Sequence, residues 1–255
     1  MDAIRNQPTY NQAYIDTGDG PVVILLHGLF GKVSMWKRTI ENLKKNFRVI
    51  VPRLPLFELP AENVSIRQLS TYLHEFIEWH RLDDVYIVGH GIGGQVALVY
   101  AAEHPIKVNK IVLSGSGLFQ DKELGSIISA GAEHNELVGD TVRSAFYNSY
   151  LAGDALVTDI SRTINDTSAR ANIENLLRSS AEEPVESKLN KLDHRVMLLW
   201  GLEDRITPPA VTFHFLDFLQ NSEIRFIEKC GHLPMVEEPE RFVRHLASFF
   251  GQDSS

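Results

Sequence analysis

Gly89-His90-Gly91-Ile92-Gly93-Gly94 is the stretch on which the reading of this chain turns. It follows a short apolar run, Val85–Val88, that reads as a buried strand, and it leads into a helical pattern from Gln95 to Glu103 that Pro105 stops. A glycine-rich corner between strand and helix is the setting of a nucleophile elbow, Gly-x-Ser-x-Gly, in which a sharp turn holds one strained residue at the top of a sheet. The flanking glycines let strand and helix approach closely. The apex here is Gly91, with no Ser, Cys or Asp side chain. The glycine spacing also suggests a dinucleotide loop, but the motif sits on a late strand and not the first.

On either side, short apolar runs alternate with helical patterns, the mark of a mostly parallel sheet covered on both faces. Val22–Leu26, Arg48–Val51, Lys110–Ser114, Arg195–Trp200 and Ile224–Ile227 read as strands. Ser34 is placed to cap a helix running to Lys45, and Ser65 to cap one carrying Ile66, Leu69, Leu73, Phe76 and Ile77. A helix is expected after Pro208-Pro209, and Phe242, Val243, Leu246, Phe249 and Phe250 mark a closing amphipathic one. From about Phe119 to Asn190 the alternation stops. That stretch is polar and helical in pattern around Glu136–Leu151 and Ala169–Ser180. It is too long for a bare loop. The expected organisation is a core of 1–118 and 191–255 interrupted by a helical lid, 119–190.

Composition narrows the function classes. Of 255 residues 44% are hydrophobic and 23% charged, and the formal net charge is −8 with no Lys/Arg block. This argues against a nucleic-acid or anionic-membrane surface. No apolar run approaches the ~20 residues of a membrane helix, and Met1 to Tyr10 is polar, unlike a signal peptide. A lone Cys230 cannot form an internal disulfide and fits a reducing compartment. The expectation is a cytoplasmic protein. No Cys/His cluster has metal-ligand spacing and no phosphate loop is present, so neither a metal nor a cofactor is expected. A small-molecule substrate or ligand is.

Three further motifs follow strands. His27-Gly28-Leu29-Phe30-Gly31 comes after the first core strand, Gly201-Leu202-Glu203-Asp204 after the strand that resumes the core, and Cys230-Gly231-His232 after the last. Open α/β sheets bind ligands just past the carboxyl ends of their strands. Elbow, then acid, then histidine is the chain order of α/β-hydrolases.

With these residues in view, the chain resembles the α/β-hydrolase superfamily, in the lidded branch of esterases and meta-cleavage-product C–C hydrolases. Glu103-His104-Pro105, Asp204-Arg205-Ile206-Thr207-Pro208-Pro209 and Gly231-His232-Leu233-Pro234 carry the likeness further. The resemblance implies an α/β-hydrolase fold with a small apolar pocket between sheet and lid. It implies His232 as general base, Asp204 as the acid that orients it, Gly91 at the nucleophile position, and the backbone N–H groups of Leu29 and Ile92 as an oxyanion hole. The chain departs from the family's pattern at Gly91, and at Pro52-Arg53-Leu54-Pro55-Leu56-Phe57, where Pro-Asp-Leu-Pro-Gly is usual.

Several readings stand side by side. Gly91 relaxes a strained turn in a protein that has lost catalysis, or it leaves chemistry that needs no covalent serine. The His232–Asp204 pair is a satisfied buried imidazole, or a base able to activate water. Ser34 and Ser114 are the candidates for a relocated nucleophile. His27 reads as a turn residue, His90 as packed beneath the apex and His104 as a helix end, while Trp36 and Phe30 belong to core or pocket wall. The functions that follow are a hydrolase of a small ester or related carbonyl compound, an inactive homologue that binds a small ligand or protein partner, and a cofactor-free lyase or oxygenase using His232 as base.

Overall fold

The computed structural model describes residues 3–6, 13–117, 135–182, 185–189 and 192–251. The strand runs pair into one sheet in the order β1-β2-β4-β3-β5-β6-β7-β8. These are β1 (Ala3–Asn6), β2 (Ala13–Thr17), β3 (Val22–Leu26), β4 (Arg48–Pro52), β5 (Val85–His90), β6 (Val108–Ser114), β7 (Arg195–Gly201) and β8 (Ser222–Ile227). From β4 to β8 every neighbour is parallel, as the alternation with helices requires, whereas β1 and β2 pair antiparallel at one edge. That edge was not anticipated from sequence. β1 and β2 are short, and Arg5, Asn6, Asp16 and Thr17 interrupt any apolar run.

The parallel strands read as unbroken apolar runs because both faces are buried. Ile24 and Leu26 pack into one core and Val23 and Leu25 into the other. In β7, Leu198 and Trp200 likewise oppose Met197 and Leu199. Helices α2 (Ile66–Trp79) and α3 (Ile92–Glu103) supply the first core, and α1 (Lys37–Leu43) with the C-terminal helix supply the second. The Ser65 cap is present, its hydroxyl accepting from Gln68 N at 3.0 Å. The Ser34 cap is not. Val33–Trp36 forms a 3₁₀ turn and α1 begins at Lys37 without a side-chain cap. The helix after the glycine corner starts at Ile92, three residues earlier than its pattern suggested, because Gly93 and Gly94 lie inside it.

Between β6 and β7 the described residues hold helices only: α4 (Asn135–Ser144), α5 (Asp154–Asn165), α6 (Thr167–Glu182) and α7 (Glu186–Leu189). The expected helix over Glu136–Leu151 ends at Ser144, and Ser149–Leu151 is a separate 3₁₀ turn. Helix α5 was missed, although Leu156, Val157, Ile160 and Ile164 stand at helical spacing. The expected opening of the lid at 119, and residues 118–134 generally, lie outside the described residues, as do Asn190 and Lys191 at its other end. After β7 come α8 (Val211–Leu216), α9 (Pro234–Glu237) and α10 (Pro239–Phe250). Among the described residues no helix is long and apolar enough to cross a membrane.

Candidate active site

The glycine corner is built by close approach. A Cβ at Gly89 would lie 2.5 Å from Gly94 Cα, and one at Gly93 would lie 2.6 Å from the Leu26 carbonyl oxygen, so strand β5, helix α3 and strand β3 meet there only as glycines. Gly91 caps α3 at φ 54°, ψ −123°, a conformation that costs a side-chain-bearing residue strain. Its N–H donates to Ser114 O at 3.0 Å, and its carbonyl accepts from Ser116 Oγ at 2.8 Å. The apex is thus fixed at both ends of its peptide. A Cβ at Gly91 would meet Gly28 Cα at 3.4 Å and nothing closer, so the space for a side chain is there.

The loop after β7 brings Asp204 in, 3% exposed. Its Oδ1 accepts from the N–H groups of Ile206 and Thr207 at 2.9 and 2.8 Å, which pins the carboxylate, and its Oδ2 faces His232 Nδ1 at 2.9 Å. Carboxylate oxygens accept, so Nδ1 carries the proton in this pair. The His232 backbone is held too, its N–H donating to Ala145 O at 2.7 Å. His232 and Gly91 line one cavity of about 480 Å³ together with Leu29 and Ile92. Helices α4 and α5 line that cavity with Val138, Val142, Leu156, Ile160 and Ile164.

The backbone N–H groups of Leu29 and Ile92 donate no hydrogen bond to any described residue. Ile92 is the first residue of α3, where N–H groups have no partner within the helix and the positive end of the helix dipole adds to them. Leu29 and Ile92 both line the cavity.

His27, His90 and His104 make contacts that hold loops and a helix end together. His27 Nδ1 lies 2.9 Å from Gly28 O and its Nε2 accepts from Leu54 N at 3.0 Å, joining the loop after β3 to the loop after β4. Burial pushes its pKa down. His90 sits beside the apex and not within the apolar core. Its Nε2 donates to the carbonyl of His232 at 2.9 Å, and the two rings meet edge to face with centroids 4.7 Å apart. Burial, and then the neighbouring His232, lower His90 to about 3. His104 caps the end of α3 and stacks on His74 at 3.9 Å. Phe30 lines the cavity, whereas Trp36 is core, packed near Phe242.

Ser34 is exposed and Ser114 is fully buried, and neither lines the cavity. The Cys230 thiol is buried, and burial pushes its pKa up, away from the reactive thiolate. Among the described residues no group of three or more His, Cys, Asp or Glu side chains is placed to hold a metal ion. Sequence reasoning missed Glu237. Its Oε2 accepts from Tyr147 N at 2.8 Å and Asn148 N at 3.3 Å, and its Oε1 from Gly231 N at 2.8 Å, so it ties the segment after α4 to the loop carrying His232. A glutamate near a histidine motif was the signal available, but its partners are backbone groups that only the fold brings together. Gln95 and Ser180 on the cavity wall were missed as well.

Comparison with known proteins places this geometry among relatives. A match to the family described as "Alpha/beta hydrolase family" spans residues 23–245. The 2-hydroxy-6-oxononadienedioate/2-hydroxy-6-oxononatrienedioate hydrolase of Paraburkholderia xenovorans (strain LB400) is 25% identical over 92% of this chain and 89% of its own length. The 2-hydroxy-6-oxo-6-(2'-aminophenyl)hexa-2,4-dienoic acid hydrolase of Metapseudomonas resinovorans is 27% identical over 94% of this chain and 87% of its own. Among solved structures, an alpha/beta hydrolase enzyme from the metagenome of sediments of the Mar Chica lagoon, Morocco, superposes with a TM-score of 0.79 at 25% identity, covering 98% of both chains.

Proposed function

The chain belongs to the alpha/beta hydrolase family, and on that premise we propose that it hydrolyses a small ester or related carbonyl compound with water, and not a serine, as the nucleophile. One observation carries the reading. His232, held by Asp204 at 2.9 Å, lines the same cavity as Leu29 and Ile92, whose backbone N–H groups donate to no described residue. In this scheme His232 Nε2 takes a proton from a water standing where a serine hydroxyl would stand at residue 91. The oxygen of that water bonds to the substrate carbonyl carbon, and the carbonyl oxygen becomes an oxyanion held by Leu29 and Ile92. Collapse of the oxyanion breaks the bond to the leaving group, which takes the proton from His232. Asp204 keeps the imidazole in its tautomer and balances the transient imidazolium. The helices between β6 and β7 serve as the lid over the reaction.

Relatives named as hydrolases of oxo-dienoate compounds make a carbonyl substrate the first class to try, and the mostly apolar cavity wall makes an apolar body on it the natural start. The test is turnover of a panel of small chromogenic esters by the protein with glycine at 91. Activity that depends on His232 supports the reading. A second reading has its own observation: Gly91 removes every side-chain atom from the apex, which suits a homologue that binds an acyl compound without turning it over. Saturable binding of a non-hydrolysed ketone, with no turnover of any ester, would favour it.

A further inference from the structure

The cavity wall is mostly apolar; its polar side chains include Thr141 and Arg205 as well as Gln95 and Ser180, and these last two are bonded to each other across the boundary between core and inserted helices. Gln95 stands in the first turns of α3, and Ser180 near the end of α6; they are 6% and 8% exposed. Gln95 Nε2 donates to Gly117 O at 2.8 Å, and Ser180 Oγ donates to Gln95 Oε1 at 2.8 Å. A backbone carbonyl can only accept, so the amide's orientation is fixed by Gly117, and the hydroxyl must donate to the oxygen that remains.

Among the described residues each group then has capacity left over. A carboxamide has two N–H donors, and Gln95 spends one on Gly117. A hydroxyl has two lone pairs, and Ser180 spends only its proton on Gln95. The pair therefore offers the cavity one donor and one acceptor side by side. Buried polar groups are ordinarily satisfied, and in a mostly apolar pocket the few that keep spare capacity are the ones that orient a ligand.

We propose that Gln95 and Ser180 form a second polar subsite in this cavity, selecting acyl compounds whose non-reacting part carries a neutral hydroxyl or carboxamide. Both ligand groups donate and accept, as the pair does. A carboxylate only accepts, so it would face the Ser180 lone pairs unmatched, and the pair itself offers only neutral dipoles against the cost of burying its charge; the arginine among the lining residues, Arg205, stands on the loop after β7 and belongs to neither helix of the pair. The inference rests on the cavity being the acyl site proposed above. It also gives the α6 end of the insertion a role in specificity, because Ser180 reaches the ligand only when α6 is docked on α3.

Methyl ketones test it, since they carry the carbonyl and are not hydrolysed. Dissociation constants of octan-2-one and its terminal-hydroxyl analogue are measured by ligand-observed NMR for the parent protein, Gln95→Met and Ser180→Ala. The expected result is a preference for the hydroxyl ketone in the parent, reduced roughly tenfold or more in either variant, as losing one buried hydrogen bond implies. Affinity for octan-2-one itself should hold. Should Gln95→Met fail to fold, Ser180→Ala, a smaller change, reads the same ratio. An unchanged ratio in folded variants overturns the subsite while leaving the acyl site standing. Failure of both ketones to bind the parent overturns the acyl site and the subsite with it.

Discussion

His90 Nε2 donates to the backbone carbonyl of His232 at 2.9 Å, so the histidine that precedes the apex supports the loop of the histidine that faces the cavity. Burial, and then the neighbouring His232, keep His90 neutral by holding its pKa at about 3. The folded value lies below the unfolded one, so stability is fully present above about pH 6.5 and is lost as pH falls toward 3. Each such group contributes a slope of up to about 1.4 kcal/mol per pH unit. His27, shifted in the same direction, adds to it. Substituting His90→Gln keeps a donor without a titrating group. Denaturant midpoints at pH 7 and pH 4.5 should then differ by about 2 kcal/mol less in the variant than in the parent. Equal differences would mean that His90 is not the buried base described.

Covalent serine-hydrolase probes should leave the chain unlabelled. Gly91 has no atom to form an adduct, and the two serines first considered as substitutes are either exposed away from the cavity or fully buried. Intact mass after fluorophosphonate treatment checks this. A stoichiometric adduct would reveal a nucleophile that this account does not contain.

Restoring the side chain at the apex separates geometry from chemistry. In Gly91→Ser the new Cβ meets Gly28 Cα at 3.4 Å, an ordinary contact, so the cost comes from the backbone at φ 54° and not from a clash. The expected loss is about 1–3 kcal/mol of stability. Ester turnover should rise, since the oxyanion donors are backbone groups and the Asp204–His232 pair is in place. A destabilised variant with no gain in turnover would favour the binding role. An active variant with no loss of stability would show that the strain argument fails.

Glu237 joins three backbone N–H groups from two parts of the chain. In Glu237→Ala these donors lose their acceptor, at a cost of about 1–3 kcal/mol. Hydrogen exchange should quicken around 145–151 while Val85–His90 stays protected. In the parent, too, the proposed lid role requires the helices α4, α5 and α6 to exchange faster than β5 and β6. Equal and high protection throughout would describe a cover docked as firmly as the core.

Much of the site was legible because its chemistry sits at strand ends, which apolar runs mark plainly. β5, β6 and β7 stand within two residues of their expected bounds, and Asp204 and His232 follow β7 and β8 as their motifs imply. The antiparallel edge was hidden because a strand with one neighbour or one exposed face needs no apolar run. Ser34 misled because a serine before a helical pattern signals a cap only if the helix starts there, and the 3₁₀ turn delays it to Lys37. Glu237, Gln95 and Ser180 were illegible for a different reason. Their partners lie 6 to 90 residues away in sequence and are backbone groups or neutral side chains, which leave no pattern in composition or spacing.

The central claim is that a base and an oxyanion hole without a serine still hydrolyse an ester. The most direct measurement is kcat/KM on the best chromogenic ester of the panel, for the parent and for His232→Ala, with the fold of each verified by its denaturant midpoint. Removal of a general base costs about 10²–10⁴-fold, so turnover by the parent that falls at least a hundredfold in His232→Ala is the result this account predicts. A parent and a folded His232→Ala that hydrolyse the ester at the same rate would contradict it.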